Sequence, residues 1–250
     1  MGIGVLYLWL TLFPLRGGEA WAWWTLVISG GVGFASFLSY LGYGYLDSWH
    51  GIGTLLLLPT FVVGLARSWS ILRGPRGPAR LLQPGAAFCI ASRSDVGRAV
   101  LVVGSVGTIA GGLSISWVGV TDIFVPEDLE FMGITAAELR DFSTRLVPLM
   151  AHDRAGFGGA VLTMGITTLC CLWCAIPSRS LWEAILTAGG VSLTAAIGIH
   201  AVVGYTDLWH LTPALAAAVS LIAGLYLTAA AVAGREGSRS SQRPMPRHLT

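Results

Sequence analysis

The sequence has no lysine and little charge of either sign. Only 11% of its 250 residues are charged, and all 15 basic residues are arginine. A soluble domain carries about 25% charged residues, so most of this protein's surface faces something other than water. The net charge of +2 is small, and no basic stripe with interleaved aromatic residues is present, which argues against nucleic acid as a partner.

The sequence also lacks the short motifs of several enzyme classes. It contains no His-Glu-x-x-His, no phosphate-binding Gly-x-x-x-x-Gly-Lys and no Gly-x-Ser-x-Gly turn. The Cys171-x-x-Cys174 pair stands near the end of a predicted membrane helix, where the helix dipole disfavours a thiolate. These cysteines are therefore predicted to be packing residues, and the sequence favours a protein that is not an enzyme.

Long apolar runs are the dominant feature of the sequence. Hydrophobic residues make up 54% of the chain, and the mean hydropathy is +0.71. The runs predict an all-α, polytopic transmembrane helix bundle with six spans, at 21–46, 50–66, 99–121, 156–177, 181–205 and 212–233. Residues 2–15 form a shorter apolar segment. It is expected either to lie in the membrane interface or to be the tail of a longer span.

Arginine sorts the connections into two groups. Twelve arginines fall in segments 16–20, 67–98, 178–183 and 235–250, and only three fall in 47–50, 122–155 and 206–211. The positive-inside rule places the first group and the C-terminus in the cytoplasm, with the protein in the plasma membrane. We predict one transmembrane domain over 1–234, with a cytoplasmic loop at 67–98, an outer loop at 122–155 and a disordered cytoplasmic tail at 235–250.

A short pattern recurs at the outer corners of the predicted hairpins. Residues 44–50 read Gly-Tyr-Leu-Asp-Ser-Trp-His, residues 204–210 read Gly-Tyr-Thr-Asp-Leu-Trp-His, and residues 119–124 carry a weaker copy without histidine. An offset of 160 residues also pairs Gly30 with Gly190 and Gly64 with Gly224. The pattern predicts three parallel helical-hairpin repeats, a known way of building membrane bundles.

The outer loop 122–155 contains signals for short helices. Pro126 and Asp128 are typical of a helix first turn, and Thr135 with Glu138 forms a capping box. A shared apolar face is predicted for Leu139, Phe142 and Leu146. Such an amphipathic helix would lie over the bundle mouth as a lid or a cover, and a protein partner is expected to bind there. Inside the third span, Gly107-x-x-x-Gly111 predicts a close helix contact.

Histidines and carboxylates gather on the predicted outer side. A ligand site or proton relay is predicted from Asp47, His50, Asp122, His152, Asp153, His200, Asp207 and His210. His50, His152 and His210 are the candidate metal ligands, and either a divalent metal or a haem is a candidate cofactor. A simpler interpretation of the two Asp-x-Trp-His corners is that each aspartate caps a helix while the tryptophan anchors it in the interface.

Three functions therefore fit the sequence. The first is a module that binds or transports a small solute or ion at its outer mouth. The second is a redox subunit that holds haem or metal and exchanges electrons with quinone. The third is a non-catalytic subunit that positions a partner in the membrane. The lipid bilayer is a partner in each.

Overall fold

A computed structural model describes the backbone of residues 1–37 and 48–241, and their side chains except those of His50 and residues 234–241. This part of the chain is helical between short connections and contains no β-strand. It holds nine α-helices: α1 (Gly2–Leu10), α2 (Ala20–Ser36), α3 (Ser48–Ser68), α4 (Arg93–Val120), α5 (Pro126–Met132), α6 (Ala136–Phe142), α7 (Leu146–Cys174), α8 (Arg179–Val203) and α9 (Leu208–Ser241). A π-helical turn at Thr11–Leu15 and 3₁₀ turns at Trp69–Ile71 and Pro78–Leu82 supplement them.

Five helical segments are long and apolar enough to cross a membrane. They are Gly51–Ile71, Arg93–Val120, Leu146–Cys174, Arg179–Val203 and Leu208–Ala233. The predicted all-α, multi-pass membrane bundle is therefore confirmed, although six spans was one too many for the described residues. The missing span, 21–46, is represented by α2, which has 17 residues and is shorter than the ~20 residues that cross the hydrocarbon core. Residues 38–46 of that run lie outside the described residues.

The N-terminal apolar segment packs one side against the bundle, while Leu8, Leu12 and Phe13 on its other side are exposed. Leu6 and Leu10 of α1 have no exposed surface. Gly2 contacts Ser192 of α8, and the Trp9 indole Nε1–H donates to Ser180 Oγ at 3.2 Å. Since successive α1 residues meet earlier residues of α8, the two helices are antiparallel. Burial of Leu6 and Leu10 stabilises the packing of this segment on the bundle.

Helices α4 and α7 approach closely along a row of glycines. A Cβ built on Gly112 would overlap the backbone of Leu162, and one on Gly119 would lie 2.6 Å from the Ala155 nitrogen. Glycine therefore allows the two backbones to come into contact. The predicted contact through Gly107 and Gly111 is wrong, because a Cβ built at either position would have no described atom of another segment within 4 Å. Gly111 is one residue, about 100° of helix rotation, away from the Gly112 contact face.

The first and third hairpins each contain a tryptophan hydrogen bond that joins the outgoing helix to the returning helix. The Trp23 indole N–H donates to the Leu65 carbonyl at 2.9 Å, and the Trp182 indole N–H donates to the Leu225 carbonyl at 3.1 Å. Trp182 lies 159 positions after Trp23, and Leu225 lies 160 positions after Leu65. These matched bonds support a repeat of the two hairpins, with spacings that differ by one residue between the outgoing and the returning helix.

A glycine contact in each hairpin follows the same spacings. A Cβ on Gly30 would overlap the Phe61 ring, and a Cβ on Gly189 would lie 2.6 Å from Leu221 Cδ2. Gly190, which the 160-residue offset pairs with Gly30, has no described atom within 4 Å. The counterpart of Gly30 is therefore Gly189, and the sequence alignment of the outgoing helices was shifted by one residue.

A buried arginine joins α4 to the end of α7 and to the loop before α4. Arg98 is 7% exposed, and its Nε donates to the Leu172 carbonyl at 2.9 Å. Its terminal nitrogens donate to the carbonyls of Trp173 at 3.0 Å, Ala86 at 3.1 Å and Ala87 at 3.4 Å. The last carbonyls of a helix have no partner within the helix, and Arg98 supplies one for the end of α7.

The segment between α4 and α7, residues 121–145, forms two short helices; we call it the outer segment after the side predicted for it. α5 begins at Pro126 and ends at Met132, and the following Gly133 has the left-handed φ of +64° typical of a glycine after a helix. In α6, Leu139 is buried whereas Phe142 is 83% exposed, so the predicted shared apolar face is wrong. The helix ends because Ser143 is extended, with φ −159°. The next helix, α7, starts only at Leu146, so this residue does not share a face with Leu139.

The capping box of α6 leads to a pH-dependent prediction. Glu138 Oε2 accepts from the Thr135 hydroxyl at 2.6 Å and from its backbone N–H at 2.8 Å, and the hydroxyl bond lowers the pKa of Glu138. A lowered pKa means that the carboxylate stabilises α6 above its unfolded pKa of about 4.3, and that this contribution is lost as pH falls. We expect amide protection in 136–142, corrected for intrinsic exchange, to fall below about pH 4. Glu138→Gln should remove the pH dependence, and an unchanged dependence in this variant would contradict the assignment.

Helix α9 continues through Ser241. Residues 235–241, which the composition assigns to a disordered tail, therefore extend the last helix. Extending an existing helix adds one backbone hydrogen bond per residue and needs no new nucleus. The rest of the predicted tail, 242–250, lies outside the described residues.

Candidate functional site

The corner between α8 and α9 brings two histidines together. α8 ends at Gly204, whose φ of +76° reverses the chain, and Asp207 Oδ1 accepts from the His210 backbone N–H at 2.7 Å. Asp207 thus caps α9, as the simpler sequence interpretation predicts. The reversal places His200, in the last turn of α8, with its ring centroid 5.2 Å from that of His210. We call the end of the bundle that carries this corner the histidine end.

Tyr205 lies between the two imidazoles and the outer segment. Its ring centroid is 4.5 Å from that of His210, 5.8 Å from that of His200 and 4.6 Å from that of Phe131, which stacks on it. Its hydroxyl oxygen is 3.2 Å from His210 Nδ1 and 3.2 Å from Asp128 Oδ1. Tyr205 therefore connects the histidine pair to α5.

Asp128 anchors this network. It is 7% exposed, and its Oδ2 accepts from the Val125 backbone N–H at 3.0 Å and pairs with a terminal Arg154 nitrogen at 2.7 Å. The N-terminal turn of α5 places the carboxylate, and α7 contributes the guanidinium. We call His200, Tyr205, His210, Asp128 and Arg154 the outer cluster.

Hydrogen-bond chemistry fixes the proton positions in the outer cluster. The Tyr205 hydroxyl donates to the Asp128 carboxylate, so its oxygen accepts from His210 Nδ1–H. His200 Nδ1 is 2.6 Å from the Ala196 carbonyl oxygen, which can only accept, so this nitrogen also carries its hydrogen. Each neutral imidazole therefore has its lone pair on Nε2.

The phenol keeps its proton at neutral pH. The pKa of Tyr205 is raised to about 12, mainly by desolvation and, to a smaller extent, by the nearby negative charge of Asp128. A neutral hydroxyl both donates and accepts. Tyr205 can therefore pass a proton from an imidazole to a carboxylate in one concerted exchange, without a stable tyrosinate.

The other predicted site residues take different positions. Asp122 is exposed in the turn after α4, and Asp47 and the His50 side chain lie outside the described residues. His152 is buried in α7, with Nδ1 2.8 Å from Asp153 Oδ1. Residues two apart on a helix point in different directions, so His152 does not share the face of Arg154. Among the described side chains, no three His, Cys, Asp or Glu are grouped so that they could hold a metal ion.

Three members of the outer cluster were absent from the predicted site. Asp128 was interpreted only as a first-turn carboxylate, Tyr205 as part of the repeated corner, and Arg154 as one of three arginines on the arginine-poor side. The position of Arg154 is the signal that could have identified them, because an arginine on an arginine-poor side of a membrane protein calls for a local explanation such as an acidic partner.

Comparison of the chain with protein families, with curated proteins and with solved structures finds no match.

Proposed function

We propose that this multi-pass membrane protein binds a small solute or ion at the outer cluster and exchanges a proton there, as a binding or transport module. The observation that supports the proposal is the hydrogen-bonded chain from Asp128 through Tyr205 to His210, with His200 beside it. In the same proposal the histidine end faces the cell exterior and the arginine-rich end faces the cytoplasm, with the chain in the plasma membrane.

The hydrogen-bonded groups provide a route for one proton. A proton arriving at His210 Nε2 makes the ring an imidazolium, which releases its Nδ1 proton to the Tyr205 oxygen. The Tyr205 hydroxyl proton moves at the same time to Asp128, so each group passes on one proton. Protonation neutralises Asp128 and removes the charge attraction to Arg154, 2.7 Å away. Proton uptake is thereby coupled to the contact between α5 and α7.

The chemistry of the two imidazoles restricts the ligand class. Both neutral rings offer an Nε2 lone pair, which accepts a hydrogen bond or binds a cation. The stacked faces of Phe131 and Tyr205 add negative electrostatic potential. A small cation or a solute with a hydrogen-bond donor, such as an alkylammonium, fits this site better than an anion.

Removing the Tyr205 hydroxyl should interrupt the route. For Tyr205→Phe we expect proton flux into pyranine-loaded proteoliposomes, driven by an imposed membrane potential, to fall at least about tenfold, because a positioned proton donor and acceptor is lost. His210→Gln should have a similar effect. Binding of methylammonium, measured by calorimetry, should weaken in His200→Ala.

The matched control is Tyr226→Phe, which makes the same chemical change in an exposed ring beneath Arg93, near the other end of the bundle. Its flux should equal that of the unmodified protein. Equal flux in Tyr205→Phe and Tyr226→Phe, at equal amounts of inserted protein, would reject the proton route. No flux in the unmodified protein together with no methylammonium binding would reject the function.

The redox alternative has less support in this geometry. A haem held by two histidines needs one imidazole on each face of the macrocycle. His200, Tyr205 and His210 are in mutual ring contact, which leaves no space for a porphyrin between this histidine pair. A Soret absorption band that is lost in His210→Ala would nevertheless restore this alternative.

A partner-binding role has one observation in its favour. Phe142 is 83% exposed and Phe131 is 51% exposed on the outer segment, which connects the membrane helices. A shallow depression of about 400 Å³ lies between α5 and α6, lined by Leu129, Ile134 and Glu138 among others. We propose this surface as the place where a protein partner would bind. Loss of a co-purifying complex in Phe142→Ala, with proton flux intact, would favour this role.

A further inference from the structure

The arginine-rich end carries five arginines on two connected segments. Residues 16–19 and 67–80, which we call the arginine platform, contain Arg16, Arg67, Arg73, Arg76 and Arg80 and a single carboxylate, Glu19. The Arg73 backbone N–H donates to the Gly18 carbonyl at 2.9 Å. A Cβ on Gly18, where φ is +86°, would lie 2.7 Å from Arg73 Cγ. The aliphatic stem of Arg73 therefore packs on glycine and joins the two segments.

The platform is held by packed side chains. Leu72 is 3% exposed and belongs to the hydrophobic core. The Trp24 indole N–H donates to the Arg76 carbonyl at 2.8 Å. The Arg76 guanidinium lies 5.8 Å from the Trp69 ring centroid, and it also donates to the Leu72 carbonyl at 3.1 Å. These contacts fix the backbone that carries the arginines.

Tryptophan places the platform at a definite depth. The Trp23 ring is 4.7 Å from Trp69 and 5.0 Å from Trp24, centroid to centroid. Clustered tryptophans of membrane proteins prefer the level of the lipid head groups. The positive charge is only partly compensated within the platform, because Glu19 lies 4.0 Å from Arg80, while Arg16, Arg73 and Arg76 are exposed.

We propose that the arginine platform binds the phosphate of an anionic phospholipid head group, with the glycerol end of the lipid directed to the tryptophan cluster. Clusters of four to eight arginines or lysines beside a membrane helix attract anionic lipid, and exposed guanidinium groups bind phosphate oxygens in pairs. The proposal is independent of the outer cluster, which lies at the opposite end of the bundle. An arginine cluster that only orients the chain would show no preference between lipids of equal chain length.

The test is a titration of the full-length protein in detergent with dioctanoyl phosphatidylglycerol, read by tryptophan fluorescence. We expect saturable binding that weakens with added salt, and no saturable binding of dioctanoyl phosphatidylcholine. Arg73→Gln/Arg76→Gln should bind phosphatidylglycerol at least about tenfold more weakly, whereas Arg73→Lys/Arg76→Lys should stay within about threefold. The control pair is Arg140→Gln/Arg145→Gln, which removes two exposed arginines from the outer segment.

Several results would overturn the proposal. Equal affinity for the two lipids, or an equal loss in the Arg140/Arg145 pair, would show that binding is not located at the platform. Inorganic phosphate binding as tightly as phosphatidylglycerol would assign the site to a free anion instead of a lipid. If the Arg73→Gln/Arg76→Gln variant does not fold, Arg16→Gln is the deciding variant, because it removes one exposed charge from the same platform. An unchanged affinity of Arg16→Gln for phosphatidylglycerol would reject the proposal.

Discussion

Arg98→Ala is expected to lower the free energy of unfolding by roughly 3–5 kcal/mol. The guanidinium is buried and donates to four backbone carbonyls, those of Leu172, Trp173, Ala86 and Ala87. A hydrogen bond with one charged partner contributes about 1.5–3 kcal/mol. Alanine leaves the Leu172 carbonyl without its Arg98 donor, and the Trp173 carbonyl keeps only the bond from the Gly85 backbone N–H, at 2.9 Å. It also opens a cavity between α4 and the loop before it, so the two costs add.

Arg98→Lys should recover only part of this stability. Lysine has a single ammonium group, which cannot reach carbonyls on two different segments in the planar arrangement that a guanidinium provides. Stability should be measured in detergent as the midpoint of loss of the monodisperse protein on heating, and in bilayers by steric trapping.

The matched control for Arg98 is Arg93→Ala in the first turn of the same helix. Arg93 is exposed, and its guanidinium lies 4.6 Å from the Tyr226 ring centroid. An exposed cation–π contact contributes about 0.5–1 kcal/mol, so Arg93→Ala should have a small effect. Similar losses in the two variants would mean that the Arg98 hydrogen bonds do not hold the end of α7.

Gly112→Ala and Gly111→Ala are expected to change stability in opposite directions. A Cβ on Gly112 would overlap backbone atoms of Leu162 in α7, which can move only if the two helices separate. Overpacking of this kind costs about 1–3 kcal/mol and sometimes more. A Cβ on Gly111 would have no described atom of another segment within 4 Å. Replacing a glycine by alanine inside a helix favours the helix by about 1 kcal/mol.

The two glycine variants differ by one residue in position and by nothing in chemistry. Expression, insertion and thermal midpoint should be compared in the same detergent. A stabilising Gly112→Ala would show that α4 and α7 do not pack through this position. A destabilising Gly111→Ala would show that this side of α4 makes a close contact as well.

The membrane class and the approximate positions of the long helices follow from the sequence because burial in lipid needs only long apolar runs, and such runs are local. The exact ends do not follow, since α4 begins at Arg93, α7 begins at Leu146 and α9 extends to Ser241, all beyond the predicted spans. The contact face of a helix is not local. Gly107 and Gly111 have the spacing of a contact motif, yet the partner helix meets Gly112 instead. All three positions lie in a uniformly apolar run, so hydrophobic periodicity cannot identify the face that meets another helix.

The candidate site, too, could be predicted only where its residues are close in sequence. His200, Asp207 and His210 are close in sequence around one corner, and the structure brings the two imidazoles together. Asp128 and Arg154 reach this corner from two other segments, through hydrogen bonds that no sequence spacing encodes. Asp122 and His152 have suitable chemistry and similar predicted depth, but a turn and a helix face direct them elsewhere.

The unequal spacing of the two related hairpins has a consequence for stoichiometry. The returning helices are related by 160 positions, which matches His210 with His50, but the outgoing helices are related by 159, which matches His200 with Leu41. In the sequence, therefore, the first hairpin has no histidine at the position that corresponds to His200. If the proposed site binds methylammonium, saturation should give one equivalent per chain, since the sequence places such a histidine pair in only one of the two hairpins.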